Sequence, residues 1–347
     1  MTLRVLVAGL GAIGQRHVRN LRAELGDAVQ ISAFRTRGLN QVFTDTLQIE
    51  PGANLAEKYG LTVYTDLSAA LADRPDAVFI CTPSSGHLPL ALAAAEAGCH
   101  LFIEKPLADT YEGVERLAAL SEARGLVAVV GYQMRFHPLL LAARSLLAQG
   151  AIGQPVAVRA ETGEYLPAWH AYEDYRQTYG ARRDLGGGAV LSQIHELDYL
   201  LWLFGPAGRV FALGGHLSDL EIDVEDVAST LLECQANGRV LPVHLQQDYL
   251  QRPPSRTLQV VGNAGKLLID FRALTLQAYG AAGQVVEQQS WPDFQRNDLF
   301  LQELRSFLAQ MQGQPTPLVT VRADLRTLRV ALAIRASLEN RCAVEVE

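Results

Sequence analysis

The chain has 347 residues, 49% hydrophobic and 19% charged, a balance that excludes a disordered polypeptide. This length predicts about two domains of ~150 residues, with a core large enough to need no disulfide or metal staple. A net charge of −7 argues against a general nucleic-acid binder, and no apolar run reaches the ~18 residues of a membrane span.

Residues 3–8 read as a buried strand that turns glycine-rich after one strand length. The N-terminus lacks the charged region, long apolar region and cleavage site of a secretory signal. Residues 12–25 read as a helix and 29–34 as a second strand. Between 36 and 60 the pattern is weak, as for a long insertion or loop. Further strands are expected at 62–64, 77–81, 101–103 and 127–130. Helices are expected at 88–97, ended by Gly98, and at 112–124, ended by Gly125. Short apolar strands separated by helices predict βαβ units and a doubly wound parallel sheet.

After about residue 150 the pattern changes. Residues 155–161 alternate, Gly186-Gly187-Gly188 precedes a helix expected at 189–203, and longer strands follow at 227–235, 240–248, 257–261 and 266–271. Asn237-Gly238 between two of them signals a hairpin. These features predict an α+β domain with a mainly antiparallel sheet, closed by helices near 297–311 and 322–338. We therefore expect a Rossmann domain over 1–132 and a second domain over 133–347, the last helix free to pack back on the first. Cys81, Cys99, Cys234 and Cys342 are widely spaced and form no C-x-x-C, so they read as reduced thiols of a cytoplasmic protein. No spacing supports a metal site. His170 with Glu173 and Asp174 has the ligand types but no fixed geometry.

Gly9-x-Gly11-x-x-Gly14 follows the first strand and opens the first helix, the context a dinucleotide fingerprint requires. Gly9 allows the tight turn, Gly11 lets backbone approach a pyrophosphate, and Gly14 lets helix and strand pack closely. Ala12 and Ile13 complete the phosphate-binding turn. An NAD site usually carries a carboxylate ~20 residues on, at the end of the second strand. Here that strand runs into Phe34-Arg35-Thr36-Arg37. The two guanidinium groups and the Thr36 hydroxyl suit a ribose 2′-phosphate, which favours NADP over NAD.

AGLGAIGQRH (8–17), CTPSSGH (81–87), FIEKP (102–106), GYQMRFHP (131–138) and GGGAVLSQIHELDYLLWLFG (186–205) occur in an order and spacing that resemble the glucose–fructose oxidoreductase, inositol dehydrogenase and rhizopine-catabolism (Gfo/Idh/MocA) family. The resemblance covers nearly the whole chain. It implies a Rossmann domain followed by a domain with a large antiparallel sheet, one face for substrate and the other commonly for a homodimer or homotetramer contact. It assigns Lys105 to the substrate oxygen and His195 to proton transfer. It also brings Thr82, Pro83, Ser84, His87, Glu104, Lys105 and Gln133 to the cofactor.

Substrate contacts are expected from Asp198, Arg135, Tyr165, Trp169 and Arg182. The segment 165–188 resembles a subgroup acting on sugars, and its aromatic, mixed-charge composition suits carbohydrate C–H faces. Many family members carry an aspartate four residues before the histidine. This chain has Leu191 there, so Asp198 or Glu196 is expected to take over, or the reaction differs. The expected activity is hydride transfer to or from a secondary alcohol or ketone of a sugar, cyclitol or sugar derivative. A non-catalytic dinucleotide-binding regulator and a C=N or C=C reductase are the alternatives.

Overall fold

The computed structural model describes residues 2–36, 41–44, 48–170, 172–236 and 238–346. Two compact units emerge, Met1–Tyr132 with Phe300–Leu325, and Gln133–Leu299 with Arg326–Glu347.

The first unit alternates β1 (Leu3–Ala8), α1 (Ala12–Leu25), β2 (Val29–Phe34), a short hairpin of β3 (Val42–Phe43) and β4 (Ile49–Glu50), α2 (Leu55–Tyr59), β5 (Thr62–Tyr64), α3 (Leu67–Ala72), β6 (Ala77–Ile80), α4 (His87–Glu96), β7 (His100–Glu104), α5 (Val114–Ala123) and β8 (Ala128–Gly131). Six strands pair in parallel in the order β5-β2-β1-β6-β7-β8. All four residues of β6 and of β8 are buried. Strands covered on both faces read as unbroken apolar runs, which is how they appear in the sequence. The order reverses at β1, between β2 and β6, and the carboxyl ends flanking such a reversal are where open α/β sheets take ligands.

The second unit contains α6 (Pro138–Ala148), β9 (Pro155–Gly163), α7 (Ala189–Ser192), α8 (His195–Phe204), β10 (Ala207–Gly215), β11 (Val227–Ala236), β12 (Arg239–Asp248), β13 (Ser255–Gly262), β14 (Gly265–Asp270), β15 (Thr275–Gly280) and β16 (Val285–Ser290). After them come α9 (Arg296–Met311), β17 (Val319–Thr320), α10 (Val321–Asn340) and β18 (Val344–Glu345). The sheet order is β16-β15-β14-β13-β9-β12-β11-β10-β18. Every pairing is antiparallel except β9 with β12. Ala236 pairs with Arg239 across a two-residue turn. Gly238 has φ +75° there, while Asn237 lies outside the described residues.

Two expectations need correction. The helix expected at 189–203 is broken into α7 and α8 at Gln193, whose φ of −102° and ψ of 31° leave the helical region. Residues 300–325 do not join the second domain. Leu304 and Phe307 belong to the first unit's core, and the Phe307 ring stands edge-on to Phe79 and Phe102 at 5.4 and 5.6 Å. Val319–Thr320 then adds an antiparallel strand beside β8. The weak segment 36–60 holds β3, β4 and α2. Gln15, buried on α1, fastens it by accepting from Phe43 N–H (2.8 Å) and donating to the Gln41 carbonyl (2.8 Å).

Candidate active site

The β1 strand delivers the chain to Gly9, whose φ of +96° is open to glycine. A Cβ on Gly14 would stand 2.0 Å from the Gly9 carbonyl oxygen, so α1 meets its own entry turn only without a side chain there. Gly11 is different. Nothing lies within 4 Å of the position its Cβ would take. It is the N-cap of α1, offers no side-chain cap, and no acidic residue occupies the first turn. The N–H groups of that turn, carried by half-buried Ala12 and Ile13 and by Gly14, thus keep their partial positive charge beside open space. Next to them, beyond β6, the Thr82 hydroxyl oxygen is buried with no partner among the described residues. Pro83 is half-buried and Ser84 buried. This edge fits a dinucleotide, with α1 for the pyrophosphate.

Where β2 ends, Arg35 is half-buried, with its backbone N–H donating to the Tyr64 carbonyl (3.0 Å), and Thr36 is exposed. Arg37 lies outside the described residues.

At the end of β7, Lys105 is half-buried and followed by a cis peptide bond to Pro106. Glu104 is the residue before this lysine. It is buried, and its Oε1 accepts from His17 Nε2 at 2.7 Å. His17, on α1, is packed among Phe79, Phe102 and Phe300, with ring centroids 5.0 to 6.3 Å away. His87 opens α4. Its ring is buried, with Nδ1 2.7 Å from the Pro106 carbonyl oxygen and Nε2 2.7 Å from that of Thr82. Burial pushes this imidazole below its ordinary range, while the two carbonyls, Glu104 and Asp109 pull it back. Sequence reasoning missed His17. The available signal was a histidine three residues past Gly14, one turn from Ile13 and Leu21 on the same helix.

In the second unit, His195 is the first residue of α8 and is buried. Leu191 is wholly buried, so no charge stands at that position. Both proposed substitute acids face an arginine. Asp198, also wholly buried, accepts a fork from Arg135: Nε–H to Oδ2 at 2.9 Å and Nη2–H to Oδ1 at 2.8 Å. Glu196 accepts from Arg256 Nε at 2.6 Å. Asp198 and Arg135 therefore form a pair in which planar fork and carboxylate satisfy each other. Ser192 accepts from Tyr249 Oη at 2.8 Å, and Gln193 donates to the Asp248 carbonyl at 2.8 Å. Gln133 is buried, its Oε1 without a partner among the described residues. Gly188 lies against the Glu225 carboxylate, where a Cβ would come within 2.2 Å.

The aromatic segment is partly brought together. Trp169 stands edge-on to Tyr249 at 5.2 Å, its indole N–H buried without a partner among the described residues. The Tyr165 ring lies under the Arg252 guanidinium at 4.0 Å. Arg182 does not join them. It is spent on Asp184 (2.9 and 2.6 Å) and Gln177 (3.3 Å) at an exposed position. His170 pairs with Glu173 at 2.9 Å while Asp174 turns to Arg176. Among the described residues no three His, Cys, Asp or Glu side chains gather to hold a metal.

A family model described as an oxidoreductase family with an NAD-binding Rossmann fold matches residues 3–132, and the Gfo/Idh/MocA C-terminal domain matches residues 140–268. The chain belongs to the Gfo/Idh/MocA oxidoreductase family. This Gfo/Idh/MocA chain is similar to myo-inositol 2-dehydrogenase of Thermotoga maritima, 26% identical over 99% of each chain. It is also similar to an NADP(+)-dependent D-xylose 1-dehydrogenase of Haloferax volcanii, 26% identical over 84% of this chain and 88% of the other. The solved structure of levoglucosan dehydrogenase with NADH and levoglucosan shares the fold, with a TM-score of 0.81, 22% identity and full coverage of both chains. As a Gfo/Idh/MocA member the protein is an NAD(P)-dependent oxidoreductase, and its named relatives are dehydrogenases and reductases. Among the described residues no helix is long and apolar enough to cross a membrane.

Proposed function

We propose that the protein oxidises a secondary alcohol of a sugar, cyclitol or sugar derivative, or reduces the matching ketone, with NADP as the preferred cofactor. The observation that carries this reading is the uncapped N-terminus of α1 beside the open space at Gly11, with Lys105 on the same carboxyl edge of one parallel sheet. The bound nicotinamide supplies the hydride acceptor or donor. Gly9, Gly11 and the first turn of α1 bind the pyrophosphate, and Thr82, Pro83 and Ser84 border it. Lys105 holds the substrate oxygen through its ammonium, and His195 takes the hydroxyl proton in oxidation and returns it in reduction. Tyr165 and Trp169 offer the rings against which a sugar lies. Relatives named for inositol, xylose and levoglucosan support the substrate class.

Arg35 and Thr36, where an NAD site would place a carboxylate, support the 2′-phosphate. Four free thiols suit a reducing cytoplasm. The second sheet exposes Leu213, Leu231 and Val240, each more than half accessible, and a homo-oligomer contact covers them in this reading.

The test is turnover of NADP(+) with myo-inositol, D-xylose and levoglucosan by the native chain, Lys105→Met and Arg35→Ala. Lys105→Met is expected to lose at least ~100-fold in kcat with NADPH affinity nearly unchanged; full activity removes the lysine from the reaction. Arg35→Ala is expected to weaken NADPH and leave NADH unaffected. Equal effects on both remove the 2′-phosphate reading.

A further inference from the structure

Two buried histidines bracket Lys105, and neither is needed for the dinucleotide contacts above. His17 Nε2 holds the carboxylate of the residue immediately before the lysine, at 2.7 Å. His87 Nδ1 faces the carbonyl of the residue immediately after it, also at 2.7 Å. Each histidine belongs to an element that borders the cofactor edge. His17 lies one turn into α1, beyond the glycine turn, and His87 opens α4 with its other nitrogen on the Thr82 carbonyl. A Glu104 carboxylate with so little exposure accepts from a donor or costs stability, and His17 is that donor.

We propose that His17 and His87 are positioning residues for Lys105, fixing the turn that carries it against the two elements that hold the dinucleotide. The inference rests on the reading of Lys105 given above. Placement of a reacting group to within about 1 Å is worth up to ~100-fold in rate. The two clamps act on backbone and carboxylate, so they set where the Nζ stands without touching substrate.

The chain contains three lysines, Lys58, Lys105 and Lys266, which permits a test that needs no substrate. In cofactor-free protein, limited acetylation followed by mass spectrometry reads the Lys105 rate against the other two as internal standards. This is paired with NADPH affinity by fluorescence and with kcat on whichever of myo-inositol, D-xylose or levoglucosan is turned over best. His17→Phe keeps an aromatic ring and removes the donor, whereas His17→Gln sets an amide N–H near the position of Nε2. His87→Asn keeps a donor near Nδ1, towards Pro106, whereas His87→Gln keeps one near Nε2, towards Thr82.

The expected result is a fall in kcat of roughly 10- to 100-fold for His17→Phe and His87→Gln, with NADPH affinity changed less than about threefold. The Lys105 acetylation ratio changes in the same two variants, and His17→Gln and His87→Asn restore both readouts. Two results overturn the proposal. One is a native acetylation ratio and native kcat in His17→Phe and His87→Gln. The other is a parallel loss of kcat and NADPH affinity that the amide variants do not rescue, which makes both histidines ordinary core residues. Should Lys105→Met stay active, the lysine's catalytic role fails, and the acetylation ratios still decide whether the histidines place it.

Discussion

Replacing Arg135 by methionine keeps most of the side-chain volume and removes the guanidinium charge that faces Asp198. The carboxylate is wholly buried, whereas the arginine side chain keeps 19% of its surface in solvent. The two halves of the pair therefore differ in what their loss costs. Without the guanidinium, Asp198 is left as a buried unpaired charge, a situation worth about 3–5 kcal/mol. Its escape is to take a proton. Relative to an unfolded value of ~3.9, holding that proton at pH 7 costs about 4 kcal/mol. Burial already raises this carboxyl with arginine present. An acid whose folded value lies above its unfolded one weakens the fold while the solution pH exceeds the unfolded value, and that penalty fades as pH falls. Urea unfolding should thus show Arg135→Met less stable by up to about 4 kcal/mol at pH 7 and by only about 1.5 kcal/mol at pH 5. Asp198→Asn leaves an arginine that can reach water and should cost only about 1–2 kcal/mol. Arg135→Met with Asp198→Leu should recover most of the loss. A deficit in Arg135→Met that does not change between pH 7 and pH 5, or one below that of Asp198→Asn, refutes the reasoning.

Two further outcomes follow from single contacts. Gly11→Ala points its Cβ into space with nothing within 4 Å, so stability should stay within ~0.5 kcal/mol while NADPH affinity, read by fluorescence, falls at least tenfold. Gly14→Ala drives its Cβ to 2.0 Å from a backbone oxygen and should lower stability by about 1–3 kcal/mol in thermal melts before any ligand is added; the reverse ranking of the two variants sinks the assignment of both glycines. His137 is pushed down to about 4, chiefly by burial and secondarily by Arg256, and its Nδ1 accepts from the Leu139 N–H at 3.3 Å. Because the unfolded ring titrates near 6.5 and the folded one near 4, stability is complete above about pH 6.5 and drains by about 3 kcal/mol as pH falls to 4. His137→Asn, which keeps a cap, should flatten that part of the pH–stability curve, and an unchanged slope removes His137 as its source.

The fold was readable wherever one chemical pattern repeats within a short window. Strands β1, β6 and β7 are apolar runs bounded by glycine or proline, and the turn at Gly238 needs only two residues to announce it. What escaped depends on distance. Phe307 joins the stacked rings of Phe79 and Phe102 from more than 200 residues away, and nothing in the local pattern of α9 distinguishes a helix that returns to the first unit from one that does not. The break at Gln193 has a similar cause. Residues 189–203 are helical by propensity, but Gln247 donates to the Gln193 carbonyl at 3.0 Å, and Gln193 in turn donates to the Asp248 carbonyl. Tertiary hydrogen bonds outweigh a weak local preference there.

The site divides along the same line, and the division says something about how its chemistry is supplied. Gly9, Gly11 and Gly14 were legible because backbone shape is a local property, and the structure accounts for each by what a Cβ would meet. Acids were misread because an acid's availability is decided by its partner. Glu104, Glu196 and Asp198 all looked like candidates for work beside Lys105 or His195. Each is buried and consumed by a base 60 or more residues away in sequence: His17 for Glu104, Arg256 for Glu196 and Arg135 for Asp198. Two of these pairs anchor the helix that begins at His195, and the third anchors the residue before Lys105. Charge that the sequence suggests for proton transfer is therefore spent on holding the two candidate groups still. Leu191 is wholly buried, and Glu196 and Asp198 each face an arginine. Introducing a carboxylate at position 191, as Leu191→Asp, places an unpaired acid in a dry core, and it should destabilise the second unit by several kcal/mol without raising kcat; a gain in kcat with native stability overturns this account of how the helix is used.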